Sequence, residues 1–166
     1  MDGDGQADVV WHHTTTGLIA VWLMNGATIA SAAVVSQVSD LNWRIAGVAD
    51  LNGDGKGDLV WHHATAGLVA AWLMNGPVIA GSAVIATVSD LSWQIAEVAD
   101  LNGDGKADLA VVNYDDGGVS VLLSNGKGTF APRVDYATGS APVSITAADL
   151  DGDGKLDLAV ANGNSG

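Results

Sequence analysis

The strongest constraint on this chain is an acidic, glycine-rich phrase that recurs at fixed spacing. It reads DGDGQAD at residues 2 to 8, DLNGDGKGD at 50 to 58, DLNGDGKAD at 100 to 108 and DLDGDGKLD at 149 to 157. From Asp4 to Asp54, Asp104 and Asp153 the period is 50, 50 and 49 residues. Self-similarity at this period marks a repeat architecture, in which one supersecondary unit buries its apolar faces only by stacking on its neighbours. Longer stretches also return: WHHTTTGLIAVWLMNG at 11 to 26 reappears as WHHATAGLVAAWLMNG at 61 to 76, and VSDLNWRIAGVAD at 38 to 50 as VSDLSWQIAEVAD at 88 to 100. The third repeat keeps the acidic phrase and changes its body from about residue 109, so two related kinds of repeat share the chain.

Within a repeat the apolar runs are short, rich in Val, Ile, Leu, Ala and Trp, and bounded by Gly, Asn, Asp and Ser. Leu59 to His62, Leu68 to Met74, Val78 to Ala86 and Trp93 to Ala99 have the length of strands, and the NG pairs at 25–26, 75–76 and 125–126 are hairpin signals. No stretch carries a capped 3.6-residue apolar stripe, so helix is not expected. Four strands in about 50 residues is one propeller blade. The expected fold is therefore all-β, with β-propeller blades of four antiparallel strands. Residues 43–92 and 93–142 each form a blade, 1–42 supply strands two to four of a partial one, and 143–166 strands one and two of another. A propeller needs at least about four blades. About three are present, so the ring is expected to close through further blades of a parent chain or through a homo-oligomer.

Nineteen acidic side chains against six basic ones give a net charge of −13. That balance excludes a nucleic-acid partner, which requires a basic face to displace phosphate counterions. No apolar run approaches the ~20 residues of a membrane span, so membrane insertion is not expected. The absence of cysteine removes disulfide frameworks, thiol nucleophiles and cysteine-ligated metals.

Thirteen of the nineteen acids lie in the recurring phrases, which makes the phrase the place to look for chemistry. Counting Asp50, Asn52, Asp54 and Asp58 as positions one, three, five and nine, four oxygen-bearing side chains are spaced to converge in one tight loop. The backbone carbonyl of Lys56 adds a fifth oxygen, and Gly53 and Gly55 permit the turn. The same set recurs as Asp100, Asn102, Asp104, Lys106 and Asp108, and again as Asp149, Asp151, Asp153, Lys155 and Asp157. The first phrase has only Asp2, Asp4, Gln6 and Asp8, without a position-one ligand. Hard oxygen donors with no sulfur or imidazole select Ca2+, which takes six to eight oxygens, over Mg2+ with its stricter octahedron. Three complete calcium sites and one truncated site are expected. The EF-hand is excluded because its position-twelve glutamate is replaced by Trp61 or Val160, and a P-loop because Gly55-Lys56 is followed by Gly57 rather than Ser or Thr.

The loop D-x-[DN]-G-D-G-x-x-D at this spacing resembles the FG-GAP and VCBS repeats of integrin-α-type β-propellers. VSVLLSNGKGTFAPRVDYATGSAP at 119 to 142 is similar to bacterial FG-GAP proteins, and W-L-M-N-G in the first two repeats to the VCBS type. The resemblance spans essentially the whole chain. It implies a secreted or cell-surface, calcium-binding propeller, with the calcium loop joining strands one and two of each blade. Such blades serve adhesion, ligand binding, lectin activity or scaffolding, so the fold alone does not select among them.

Two other residue types require a reading. His12-His13 and His62-His63 are strand neighbours that point to opposite faces; neither pair chelates by itself, and packing or hydrogen bonding within the blade is expected. Trp11, Trp22 and Trp43 have counterparts in Trp61, Trp72 and Trp93, either as fillers between blades or as platforms for sugar rings. Asp40, Asp90, Asp115 and Asp116 read as turn formers. No Ser-His-Asp elbow, HExxH motif or cofactor fingerprint is present, so the chain is not expected to be an enzyme. The expectation is a calcium-binding extracellular module for binding, adhesion or scaffolding, with protein or glycan as partner; the alternatives are a calcium-dependent lectin and the accessory propeller of a secreted enzyme.

Overall fold

The structure, a computed structural model, describes residues 1–88 and 90–164; Ser89 and residues 165–166, which fall in the expected blades, lie outside it. Among the described residues it contains thirteen strands and no helix. They form four antiparallel sheets. The first holds β1 (Val9–His12), β2 (Leu18–Asn25) and β3 (Thr28–Gln37). The second runs in order β4 (Trp43–Ala49), β5 (Asp58–His63), β6 (Leu68–Asn75) and β7 (Val78–Thr87). The third repeats that order with β8 (Trp93–Ala99), β9 (Asp108–Asn113), β10 (Gly118–Leu122) and β11 (Val134–Ala137). The fourth pairs β12 (Ser140–Ala148) with β13 (Asp157–Asn164). Two complete meander blades are thus flanked by a three-stranded and a two-stranded sheet.

Blades stack because their middle strands are apolar on both faces. Successive residues of a strand point to opposite faces. In β5, Leu59 and Trp61 join Ile19, Val21 and Met74 in a core between the first and second sheets, while Val60 joins Val69, Ala71, Leu109 and Val111 in the next core. In β9 the division recurs: Leu109 and Val111 face the second sheet, whereas Ala110 and Val112 pack with Val119 and Ile145 toward the fourth. This two-sided burial explains the unbroken runs LVW and LAVV, which an exposed sheet face would interrupt with polar residues. Trp61 is 2% exposed. An aromatic of this size buries 150–250 Å² and contributes about 4–6 kcal/mol at ~25 cal/mol per Å².

The first strands of consecutive blades lie side by side, β8 resting against both β4 and β12. β4 and β8 approach so closely at Gly47 that a Cβ there would lie 2.5 Å from Val98 Cγ2. Irregular registers at Ile45/Gly47 and Ile95/Glu97 place a bulge at the same point of both first strands.

Two of the three NG signals form the tight hairpins expected. Asn25 pairs with Thr28 and Asn75 with Val78. In both, glycine takes the first central place at φ +59 or +58, followed by Ala27 or Pro77, the residue pattern of a type II′ turn. Asn125-Gly126 differs: it lies in the longer connection between β10 and β11, closed by a bridge between Ser124 and Phe130. The five residues of GKGTF that follow Asn125 prevent a two-residue loop there.

Candidate functional site

Each acidic phrase forms the connection from a blade's first strand to its second, or in the first sheet the approach to β1. The three complete loops share one hydrogen-bond pattern, and the first keeps the part of it that follows position one. In the second, the position-one carboxylate of Asp50 accepts the amides of Gly53 at 2.7 Å and Gly55 at 2.7 Å. Asn52 Oδ1 accepts the Asp54 amide at 2.9 Å, and Asp54 Oδ1 accepts the Lys56 amide at 2.9 Å. The third loop matches it through Asp100, Asn102 and Asp104, and the fourth through Asp149, Asp151 and Asp153. In the first, Asp2 Oδ1 accepts the Asp4 amide at 3.2 Å and Asp4 Oδ1 the Gln6 amide at 2.8 Å. The chain winds around its own carboxylates because every second residue is an acid or amide and the intervening glycines accept left-handed φ, as at Gly53 (+79) and Gly55 (+82).

The position-nine aspartates occupy a different environment. Asp58 is fully buried; its Oδ2 accepts the Leu51 amide at 3.0 Å and its Oδ1 the Met74 amide at 2.8 Å. Asp108 does the same with Leu101 at 3.0 Å and Ser124 at 2.7 Å. Asp8 accepts the Met24 amide at 2.9 Å and pairs with the Met1 ammonium at 3.0 Å, and Asp157 accepts the Leu150 amide at 3.1 Å. This aspartate therefore ties the loop to its own blade, in the three-stranded and complete sheets through the end of the next strand.

Burial pushes the Asp58 carboxyl up, outweighing the Met74 and Leu51 amides, and the charges of Asp54 and Asp50 add to the rise. Asp108 is raised for the same reasons. At Asp8 burial also raises the carboxyl, but the Met24 amide and the Met1 ammonium together hold it below its usual value. Asp104 is held down by the Lys106 ammonium, 3.1 Å from its Oδ2.

The donor set suits a hard cation. In the fourth loop Asp149, Asp151 and Asp153 each present a carboxylate oxygen within 4.8 Å of the others, all exposed; Asp157 stands outside that cluster. The second and third loops replace the middle carboxylate with Asn52 or Asn102, whose amide nitrogen leans on Asp54 or Asp104 at 3.4 Å. Side-chain oxygens at positions one, three and five thus meet in the fourth loop, while in the second and third the position-three amide turns its nitrogen toward position five. Lys56, Lys106, Lys155 and Gln6 donate their backbone amides to the position-five carboxylate, Lys106 and Gln6 also reach it with their side-chain nitrogens at 3.1 Å, and their backbone carbonyls are the groups suited to ligation. The position-nine groups offer whatever acceptor capacity their two amides leave.

His13 and His63 are hydrogen-bonded within the blade, whereas His12 packs edge-on against Trp61 with its Nε2 buried and unpartnered among the described residues. His63 Nε2 lies 2.9 Å from Asp40 Oδ2, and its Nδ1 accepts the Ala66 amide at 3.0 Å, closing the turn into β6. Asn113 holds the equivalent turn in the third blade, accepting the Asp115 and Asp116 amides at 3.1 Å. Asp40 and Asp90 form Asx-type turns with Asn42 and Ser92 at 3.0 Å. His62 is lowered by burial. Among the tryptophans, Trp61 packs against Trp72 with centroids 4.8 Å apart and fills the gap between blades, while Trp11 pairs with Trp22 at 4.9 Å and is 49% exposed. Arg133 was not singled out by sequence reasoning, yet its guanidinium stacks 4.5 Å above the Trp93 ring. Its only sequence signal was that a basic residue is rare in this chain.

Comparison with known proteins places this geometry. No curated protein matches the chain. Among solved structures, an Agrocybe aegerita lectin, described for specific recognition of non-reducing terminal N-acetylglucosamine, is 26% identical with a TM-score of 0.70. The match covers 94% of this chain and 43% of the lectin, so the chain spans less than half the lectin's length. A TcdB2-TccC3 structure is 18% identical with a TM-score of 0.55, covering 86% of this chain and 7% of that one. The sequence model of the FG-GAP-like repeat family matches residues 1–61 and 100–160, both of which include acidic loops of the kind described. With its repeated loops, its meander blades and that match in agreement, the chain belongs to the FG-GAP-like repeat family.

Proposed function

We propose that the chain is part of a calcium-clamped extracellular β-propeller whose role is to bind glycans. The glycan reading rests on one observation: the similarity to the N-acetylglucosamine-recognising lectin extends over 94% of the chain. The calcium reading rests on the loop geometry: the backbone winds the same way in all three complete loops, and in the fourth the carboxylate oxygens of positions one, three and five converge. Bound there, a calcium ion would neutralise carboxylates that otherwise repel one another, and three ions on the complete loops would offset six of the thirteen net negative charges. The protein's own part is to hold those oxygens in place through the glycine amides and to fasten each loop to its blade through the position-nine aspartate. Extracellular sites of this type bind at roughly 0.1–1 mM, a level met outside cells and not in the cytosol. The role is binding rather than catalysis.

A glycan array probed with the calcium-loaded protein, its ring closure checked by solution mass, tests the reading. Selective retention of glycans that is lost in chelator supports it. Uniform silence across the array, with the ring closed and calcium bound, removes the glycan assignment. The second reading, a scaffold blade set within a larger protein, is favoured by the fold match that covers only 7% of a far longer chain. It predicts that the parent open reading frame encodes further blades and a separate functional domain.

A further inference from the structure

The second and third blades carry counterpart clefts with opposite chemistry. In the second, a cleft of about 350 Å³ is bordered by Trp43, Trp61, Trp72, Ala70, Ser82 and Val84. In the third, a cleft of about 190 Å³ is bordered by Trp93, Asn113, Asp116, Ser120, Arg133 and Asp135. Strand register makes the positions equivalent: Ser120 pairs with Asp135 as Ala70 pairs with Val84. Two residues earlier on the same face, Arg133 stands where Ser82 does. Asp116 donates its amide to Asn113 where Ala66 donates to His63, so it replaces that alanine. Ser120, Asp135, Arg133 and Asp116 thus stand where the second blade has Ala70, Val84, Ser82 and Ala66, and of Trp43, Trp61 and Trp72 only the first keeps a tryptophan counterpart, Trp93.

We propose that the cleft at Trp93 is a binding subsite for a single neutral pyranose ring, held by Arg133, Asp135 and Asp116. It rests on the glycan-binding reading and gives it an address. Stability does not account for the exchange. Arg133 Nε and Asp135 Oδ1 lie 3.3 Å apart with side chains 52% and 58% exposed, and such a surface pair contributes about 0–1 kcal/mol. What the pair provides is fixed geometry. The guanidinium is stacked on Trp93 and bound to Asp135, which in turn accepts the hydroxyl of the buried Ser120. Among the described residues the two terminal nitrogens of Arg133 have no hydrogen-bond partner, so they are free to donate. Asp116 uses one oxygen on Asn113 Nδ2 at 2.9 Å and keeps the other free to accept. Donors and acceptors held in fixed positions match a sugar, whose hydroxyls both give and take hydrogen bonds; Trp93 contributes by holding the guanidinium flat against its ring. Two carboxylates against one guanidinium, in a chain of net charge −13, disfavour an anionic sugar.

The test titrates the 166-residue protein, in calcium, with the methyl glycosides of glucose, galactose, mannose and N-acetylglucosamine, and with methyl glucuronide as the anionic control. Saturation-transfer NMR and calorimetry read binding in wild type, Asp116→Ala, the double variant R133S/D135V, and Ser82→Ala as the second-blade control. The substituted side chains are exposed, and circular dichroism verifies the fold; should the double variant fail to fold, Asp116→Ala decides. The expected result is a neutral glycoside bound by wild type and Ser82→Ala, and weakened at least about tenfold by the cleft variants, the scale of a lost hydrogen bond to a charged group. Unchanged affinity in the cleft variants overturns the subsite and leaves the glycan reading standing. Glucuronide bound as tightly as the neutral glycosides overturns the neutral assignment. No neutral glycoside bound by wild type overturns the subsite, and the glycan reading falls with it where the closed, calcium-bound ring is also silent on the array.

Discussion

Replacing Asp58 with alanine separates the two jobs performed by the acidic loop. Asp58 is fully buried and accepts two backbone amides, from Leu51 and Met74. Alanine strands both donors, and each unsatisfied buried amide costs about 1–3 kcal/mol. The burial that pushes the Asp58 carboxyl up is a cost that alanine recovers, which places the net loss at the low end of the summed range of about 2–6 kcal/mol, roughly 2–3 kcal/mol. For a protein of this size each kcal/mol shifts the melting temperature by roughly 2–4 °C, so Asp58→Ala should melt about 4–12 °C below wild type. The loss should appear in chelator as well as in calcium, because the amides are internal to the blade. Asp54→Ala provides the contrast. Its carboxylate is exposed and accepts chiefly the Lys56 amide, so in chelator it should lie within about 0.5 kcal/mol of wild type. Only in calcium should it lose stability. Differential scanning calorimetry of both variants in each condition makes the comparison. If Asp58→Ala melts with wild type in chelator, the argument from buried amides is wrong.

Two further outcomes follow from the same geometry. Gly67→Ala should be far more damaging in urea titration than Gly55→Ala: a Cβ on Gly67, at φ +63, would lie 1.7 Å from the Val88 carbonyl oxygen, whereas Gly55, at φ +82, has nothing within 4 Å and incurs only the left-handed cost of about 1–2 kcal/mol. The Asn42 amide, helped by the His63 ring, lowers Asp40 from its usual 3.8 to about 2. A lowered carboxyl contributes stability in full above its usual value and loses it as pH falls toward the lowered one, so wild type and Asp40→Asn should differ at neutral pH and converge between about pH 4 and 2.

The repeat made most of the fold legible before any coordinates. Four near-identical phrases fixed the phase of the blades, and Trp93 to Ala99 was read to the residue. Leu59 to His62 fell one residue short at each end of β5 because Asp58 and His63 pair in the ladder although both were read for other roles. The loop's oxygen donors were equally visible, since a ligand spacing survives in the sequence whatever its surroundings. Burial was not. Position nine looks like one more acidic ligand in sequence, and only the third dimension shows it docked on the amides of Met74 or Ser124, sixteen residues away in each case. The polar cleft was hidden for a related reason. Trp93, Asp116, Ser120, Arg133 and Asp135 come from four separate segments, β8, the turn after β9, β10 and the entry into β11, and local pattern carries no information about which of them meet. Equivalent tryptophans likewise separate into buried Trp61 and exposed Trp11 according to whether a neighbouring blade covers them.

The central claim is that the repeated loops are calcium sites, and the direct measurement counts the ions. Equilibrium dialysis against about 10 mM calcium, roughly ten times the weakest dissociation constant expected of extracellular sites, should approach three ions per chain on the loops at 50–58, 100–108 and 149–157, with a weaker fourth at 2–8. Asp54→Ala and Asp104→Ala should each remove one. A chain that binds no calcium at that concentration, with a melting curve unmoved by chelator, contradicts the account.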